Sequence, residues 1–234
     1  MLKKTALFFL ILLILSCTST ERSSERLFTA EDASRILHSL SVLIDDDISI
    51  SSKEAVITRE DVMTLVPISM RTYKDYLPLY DKLEHEYVTS IAERANEAIR
   101  NAFEYIRTDS YTLSREPGYY LDLRVYVSSE YEENRSDEIL SIIKESLDES
   151  KESSSSSLSA LMVETRNVKK NYDNLNSIGY GVILPDAKGI DEEELALMIS
   201  KNIFDTMREV EMRLKNTPLD DPSSPYQVFW EDWN

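Results

Sequence analysis

The chain has 234 residues, of which 42% are hydrophobic and 29% are charged, and its formal charge is -17. This length and apolar content are sufficient for one domain with a hydrophobic core. Only four glycines and one cysteine occur, which argues against glycine-rich phosphate loops, turn-dense β folds and an internal disulfide framework. The two histidines and the cysteine are too few for a His/Cys zinc site, so we expect no metal and no other cofactor.

The N-terminus has the three parts of an export signal. Lys3 and Lys4 precede an uninterrupted apolar run over residues 6–15, and the small residue Ser16 follows it. The run is too short to span a bilayer as a helix. We therefore predict a signal peptide over residues 1–16, with cleavage between Ser16 and Cys17.

The residues Ile14-Leu15-Ser16-Cys17 resemble the lipobox of bacterial lipoproteins, although Leu15 departs from the usual Ala or Ser. The resemblance implies that the Cys17 thiol receives a diacylglyceryl group and that Cys17 becomes the mature N-terminus. Such a group would anchor the chain to a membrane. This predicts a lipid-anchored protein of the bacterial cell envelope, on its periplasmic or cell-surface face. The alternative is an ordinary secretory signal or an uncleaved anchor.

Cleavage would make the chain more acidic. Lys3 and Lys4 leave with the signal peptide, which holds no acidic residue, so the remaining charge is -19. Anionic headgroups and nucleic acid repel a body of that charge, and we expect no nucleic-acid partner. The polar residues 17–28 are predicted to form a flexible tether, and the folded domain is predicted over residues 29–218.

The domain is predicted to be all-α, a bundle of about five to six helices. Helical periodicity and cap spacing indicate a helix over residues 29–44 and a short helix that begins at Thr58 and ends before Pro67. The longest apolar stripe runs over residues 79–107. Its four alanines would admit a close neighbouring helix, and charged residues such as Arg94 are placed on the solvent side.

Residues 109–131 do not give one clear pattern. A turn at 115–118 precedes apolar residues that alternate with a period of two. We predict helix or irregular structure here, with a short β element near 119–127 as the alternative. Ser136 is then predicted to cap the next helix.

The rest of the domain is predicted as two helices separated by loops. The serine-rich stretch 150–157 buries little and is predicted to be an exposed loop or linker. A helix is expected from Leu158 to before Gly179, and the last helix is expected to begin with a cap at Asp191 and to end before Pro218.

Two stretches together are similar to the bacterial family called domain of unknown function 4197, whose members are exported helical proteins without an established activity. One is the alanine-bearing run 90–98 with Phe103 and Ile106. The other is residues 170–175 followed by residues 193–218. The resemblance covers about half of the mature chain, and it implies an all-α fold without implying a reaction.

No residue is predicted to be catalytic. His85 stands between two glutamates and could act as a general base, but Thr89 occupies the place of the second histidine in the zinc motif His-Glu-x-x-His. Adjacent helix positions also point to different sides, so we interpret His85 as a surface residue. The aspartates 45–47 lack the glycine of a calcium-binding loop and are interpreted as a solvated helix end.

Two aromatic features are candidates for contact with a protein partner. Tyr180 stands between two glycines, where a tyrosine could contact a partner or bridge core and water. Residues 219–234 form an acidic aromatic tail, in which Phe229, Trp230 and Trp233 are the candidate partner-binding residues. The alternative is that the tail docks back onto the bundle as a strap.

The sequence thus predicts a lipid-anchored envelope protein that serves as a binding or structural module. Its expected partners are the membrane, through Cys17, and an envelope protein. Two alternatives stay open. A hydrolase requires a buried pair of carboxylates in one pocket. An apolar-ligand carrier requires a cavity between the long helix and the last helix, lined by Leu83, Ile91, Ile199 and Met207.

Overall fold

The computed structural model of the protein describes residues 37, 38, 40, 57–109, 127–179 and 181–216, with side chains as far as Arg213. From Ile57 onward the described ranges hold six α-helices, one 3-10 helix over Thr72–Asp75 and no β-strand, which confirms the all-α prediction. The helices are α1 (Arg59–Leu65), α2 (Ile68–Arg71), α3 (Tyr80–Thr108), α4 (Val127–Glu149), α5 (Lys151–Asn176) and α6 (Glu192–Asn216).

Helix α3 is the axis of the bundle. It has 29 residues, matching the long predicted helix to within a residue at each end, and α1, α4, α5 and α6 all pack against it. Its apolar stripe is buried, and the alanines at 92, 95, 98 and 102 are at most 7% exposed. Small side chains let neighbouring helices approach closely, so the predicted role of these alanines fits the observed packing.

Helices α4 and α5 lie one after the other along α3. Near the start of α4, Tyr131 donates a hydrogen bond to Asp109 at the C-terminal end of α3 (3.0 Å). Near the end of α5, the ring of Tyr172 packs edge-on against Tyr76, just before α3, with 5.0 Å between ring centroids. Both helices therefore run antiparallel to α3, α4 along its C-terminal half and α5 along its N-terminal half.

Residues 181–191, the return segment, carry the chain back along α5 without regular secondary structure. Side chains from other parts of the bundle hold its backbone: Lys169 Nζ donates to the carbonyl of Leu184 (3.0 Å), Tyr73 Oη donates to the carbonyl of Pro185 (2.7 Å), and Tyr87 Oη accepts from the amide of Ile190 (3.0 Å). The return segment places the start of α6 beside the end of α4. Helix α6 then packs along α4.

Two predicted helix starts are confirmed with their caps. Thr58 and Asp61 form a reciprocal capping box at the start of α1, in which each side chain bonds the backbone amide of the other residue. At the start of α6, Asp191 Oδ1 accepts from the amide of Glu193 (2.9 Å). In both cases the cap is local, so the sequence spacing alone was enough to locate the helix start.

The prediction of a loop over residues 150–157 is wrong. Lys151–Asn176 is one continuous helix, and only Ser150 separates it from α4. Serine hydroxyls donate to nearby carbonyls of the helix, as Ser153 does to Ser150 (2.7 Å) and Ser155 does to Glu152 (2.8 Å). Ser154 is 4% exposed and bonds to a buried arginine. Tertiary contact therefore overrides the weak helix propensity of the tract.

The prediction of a helix start at Ser136 is also wrong, because α4 begins nine residues earlier at Val127. The cap of α4 comes from a distant part of the chain. Glu211 of α6 is fully buried, and its two carboxylate oxygens accept from the amides of Val127 (2.8 Å) and Ser128 (2.9 Å). A negative charge is favourable at a helix N-terminus, where the first amides lack partners within the helix.

Several predictions lie wholly or partly outside the described residues. Of the predicted helix 29–44, Leu37, His38 and Leu40 are described and are helical, and both leucines are buried in the core. Residues 119–126 and the tail 219–234 are outside, whereas Val127, at the edge of the alternative β element, is the first residue of α4. No helix in the described ranges is both long enough and apolar enough to cross a membrane.

The tertiary cap of α4 can be tested with Glu211→Ala. Removing the carboxylate leaves buried amides of α4 unsatisfied, so we expect the free energy of unfolding to fall by about 2–4 kcal/mol. Urea denaturation followed by circular dichroism measures this. Glu209→Ala, on an exposed position of the same helix, should change stability by less than about 0.5 kcal/mol. Equal effects of the two substitutions would contradict the capping role.

Candidate functional site

Arg94 is a buried charge that contacts several helices. It lies on α3, is 2% exposed, and its guanidinium reaches the other three long helices. The contacts are with the carbonyl of Leu147 on α4 (Nη2, 2.6 Å), with Ser154 Oγ on α5 (Nη1, 2.9 Å), and with both carboxylate oxygens of Glu192 on α6 (3.2 and 3.1 Å). We call these four residues the Arg94 junction.

The Arg94 junction joins the ends of three helices. The carbonyl of Leu147 is among the last of α4, where helix carbonyls lack partners within the helix. Glu192 is the first residue of α6, where a negative charge complements the helix dipole. The planar guanidinium bonds the Glu192 carboxylate with two parallel contacts. Because the Glu192 side chain is 39% exposed, only the arginine side of the pair is fully desolvated.

The sequence-based placement of Arg94 on the solvent side is wrong. Arg94 follows Ile91 by three positions and precedes Ala98 by four, which places it within the apolar stripe of α3. That spacing was the signal in the sequence that could have identified it. What the sequence could not show is that an acceptor on each of three other helices meets it there.

A cleft of about 160 Å³ lies beside the junction, lined by Lys144, Leu147, Asp148, Glu192 and Glu193. Each of its carboxylates has a cationic neighbour: Glu192 has Arg94, Glu193 has Lys144 (2.7 Å) and Asp148 has Lys151 (3.8 Å). The cleft therefore presents a polar surface of paired charges, in which each acid already has a partner.

Candidate metal ligands do not converge in the part of the chain that the structure describes, where no group of three or more His, Cys, Asp or Glu residues could hold an ion. His85 is exposed on α3, which agrees with its interpretation as a surface residue. The aspartates 45–47 are outside the described residues.

The connection between α5 and the return segment is a tight turn built on two glycines. Gly179 has a φ of 98° and Gly181 a φ of 72°, in the left-handed region that glycine adopts without steric cost. The side-chain amide of Asn176 donates to the carbonyl of Val182 and closes the turn. Tyr180, the aromatic candidate between the glycines, is outside the described residues.

Two large apolar side chains of this turn face solvent. Ile178 is 72% exposed and Ile183 is 83% exposed. A Cβ atom added at Gly179 or Gly181 would have no neighbouring atom within 4 Å, so this part of the chain protrudes from the bundle. We call Ile178, Gly179, Gly181, Val182 and Ile183 the glycine turn.

Some of the site residues predicted from the sequence lie outside the described residues, and others lie in or against the core. Ser16, Cys17, Phe229, Trp230 and Trp233 are all outside the described residues. Of the residues expected to line an apolar cavity, three are at most 1% exposed within the core, and the fourth, Leu83, packs against the core from its edge.

Comparison of the chain with known protein families, with curated proteins and with solved structures finds no match. The resemblance to the family called domain of unknown function 4197 stays a prediction.

Two tyrosines that bond the return segment, Tyr73 and Tyr87, have a raised pKa. Burial raises the pKa of Tyr73 above its ordinary value of 10.0, and the negative charges of Asp186 and Asp173 raise it further. Burial also raises the pKa of Tyr87, and the hydrogen bond from the amide of Ile190 opposes this in part. Both phenols therefore hold their protons more tightly in the folded chain than in the unfolded chain.

The Arg94 junction can be tested with Arg94→Met, which keeps an unbranched apolar side chain, although a shorter one, and removes the charge and the donors. We expect the free energy of unfolding to fall by about 2–4 kcal/mol, because Leu147, Ser154 and Glu192 lose a common partner. Urea denaturation is the measurement, and Arg100→Met, at an exposed position of α3, is the matched control. A double-mutant cycle with Glu192→Gln should give a coupling energy of about 1–3 kcal/mol; additive effects would mean that the pair is not coupled.

The raised tyrosine pKa values predict a loss of stability at alkaline pH. Their stabilising effect is complete below the unfolded-state pKa of about 10 and decreases as the pH rises above it. The melting temperature should therefore fall when the pH increases from about 9 to about 11. In Tyr73→Phe/Tyr87→Phe the unfolding free energy should decline less steeply over the same range. An unchanged slope would exclude these two phenols as the cause.

Proposed function

We propose that the protein is an exported lipoprotein of the bacterial envelope, anchored by acylated Cys17, whose helical body serves as a binding or structural module. The observation that carries the proposal is the order of residues at the N-terminus: two lysines, an apolar run over 6–15, then Ser16 and Cys17. An export signal that ends directly before a cysteine is typical of lipoproteins, and lipid attached at that cysteine would hold the body at the membrane surface.

The most buried charges of the described body join helix ends. Arg94 and Glu211 are its most buried charged residues, and both join helix ends. The carboxylates of the cleft beside Arg94 are ion-paired, whereas the hydrolase alternative needs a buried pair of carboxylates in one pocket that can hold and release a proton. A module that binds or supports a partner needs no such group.

The glycine turn supports a binding role. Large apolar side chains on the surface of a folded chain are unfavourable in water, and clusters of them mark sites of protein or membrane contact. Ile178 and Ile183 lie on one protruding turn, so they form such a feature. The candidate residues Phe229, Trp230 and Trp233 of the tail are a second, sequence-based proposal for contact with an envelope protein.

Anchoring can be tested by expressing Cys17→Ala and the unchanged chain in a bacterium that acylates lipoproteins, with radiolabelled palmitate in the medium. The unchanged chain should carry the label and enter the detergent phase of a phase-separating detergent. Cys17→Ala should lose the label completely, because no other thiol is present to receive the lipid. Ser24→Ala, in the predicted tether, is the control and should behave like the unchanged chain. Retention of the label by Cys17→Ala would show that the proposed site is wrong.

A further inference from the structure

Residues 155–190, which we call the α5 arm, leave the rest of the body and return to it at the same place. Arg94 donates to Ser154 Oγ, directly before the arm (2.9 Å), and to both carboxylate oxygens of Glu192, just after it (3.2 and 3.1 Å). Helix α5 carries the chain away from Arg94, and the return segment carries it back. Both ends of the arm are therefore fixed by one guanidinium, so the arm can be displaced without moving α4 or α6.

The α5 arm buries little apolar surface for its length. Among its described residues, the buried apolar side chains are Leu161, Leu184 and Ile190. Helix α6 has only 25 residues and buries more of its apolar side chains, namely Leu195, Ala196, Ile199, Ile203, Phe204, Met207 and Val210. The serine tract at which the arm begins also has a weak helix propensity. Few buried apolar contacts are typical of segments that open at a lower free energy than global unfolding requires.

The rest of the body holds the arm through few polar contacts. In the part of the chain that the structure describes, the backbone of residues 182–190 forms no hydrogen bond with other backbone groups. The side chains of Tyr73 and Tyr87 bond this backbone instead, and Tyr76 packs against Tyr172. Helix α5 packs chiefly against α3. The arm is therefore attached mainly along one face.

Within the arm, α5 and the return segment are bonded to each other. Lys169 Nζ donates to the carbonyl of Leu184 (3.0 Å) and lies 3.8 Å from the carboxylate of Asp186. The side-chain amide of Asn176 donates to the carbonyl of Val182. None of these contacts involves the rest of the body. They couple the two parts of the arm, so that displacement of one part loosens the other.

Helices α4 and α6 are joined by contacts that lie outside the arm. Glu211 of α6 accepts from two amides at the start of α4. At the other end of α4, Arg94 bonds the carbonyl of Leu147 and the carboxylate of Glu192. All of these bonds are kept when the arm beyond Ser154 leaves α3.

We propose that the α5 arm opens from α3 as one cooperative unit while α3, α4 and α6 stay packed together. The body then has an open form as well as the closed form described above. Opening uncovers the side of α3 that carries Tyr87, which is 2% exposed in the closed form. The arm thereby controls access to an apolar and aromatic face of α3. The proposal concerns the body alone and is independent of acylation at Cys17.

Opening can be measured on the full chain by native-state hydrogen exchange with mass spectrometry. A serine-containing helix detached from its partner is marginal in water. The amides of residues 158–176 should therefore exchange with one common opening constant, at least about tenfold greater than that of residues 195–210 in α6. Equal opening constants in the two helices would overturn the proposal.

Tyr73→Phe tests whether the arm is one unit. It removes one hydrogen bond to the return segment and should accelerate exchange throughout α5 by about fivefold, although α5 does not itself lose a bond. Acceleration confined to the return segment would show that its two parts open separately, which would contradict the proposal.

A matched pair of core substitutions separates opening of the arm from global unfolding. Leu161→Ala should accelerate exchange in the arm by roughly thirtyfold or more. Ile139→Val, at a fully buried position of α4, should accelerate exchange in α4 and α6 by about twofold to tenfold. It should leave exchange in the arm unchanged, because the closed and open forms both keep the packing of Ile139. Equal acceleration of the arm and α6 by Ile139→Val would reject the proposal, since the arm would then open only when the whole bundle unfolds.

Discussion

The contact of Arg94 with three other helices is the interaction on which the arrangement of this bundle depends. A buried guanidinium is costly to desolvate, and hydrogen bonds to its donors offset that cost. Both terminal nitrogens of Arg94 have acceptors, whereas its buried Nε has none among the described residues. Here the acceptors come from the end of α4, the start of α5 and the start of α6. Moving any one of these helix ends away would leave a buried charge without part of its coordination, so the position of each end is fixed by the same side chain.

Glu211 performs the complementary task at the opposite end of α4. Arg94 donates to a carbonyl at the C-terminal end of that helix, and Glu211 accepts from two amides at its N-terminal end. The sign of each charge matches the helix dipole. Helix α4 is thus held at both ends by side chains from other helices. A chain with four glycines has few glycines for local C-caps, and at α4 it uses charged side chains from other helices instead.

Buried polar groups and exposed apolar groups have different roles in this protein. Polar side chains in the interior form hydrogen bonds between helices. Tyr73, Tyr87 and Lys169 bond the backbone of the return segment. The surface carries the exposed isoleucines of the glycine turn, which do nothing for the packing of the core. Among the described residues, the apolar side chains available for contact with other molecules therefore lie on the surface.

The sequence by itself determined the helical class, the long helix α3 and the starts of α1 and α6, because an apolar stripe of period 3.6 and a cap within three residues are local properties. It also placed two glycines in the turn after α5. Only the tertiary structure decided where α4 begins, that the serine tract is helical and which groups bind buried Arg94. Each of these depends on a partner distant in the chain: Glu211 lies 84 positions from Val127, and Glu192 lies 98 positions from Arg94. Local periodicity does not predict such long-range pairings.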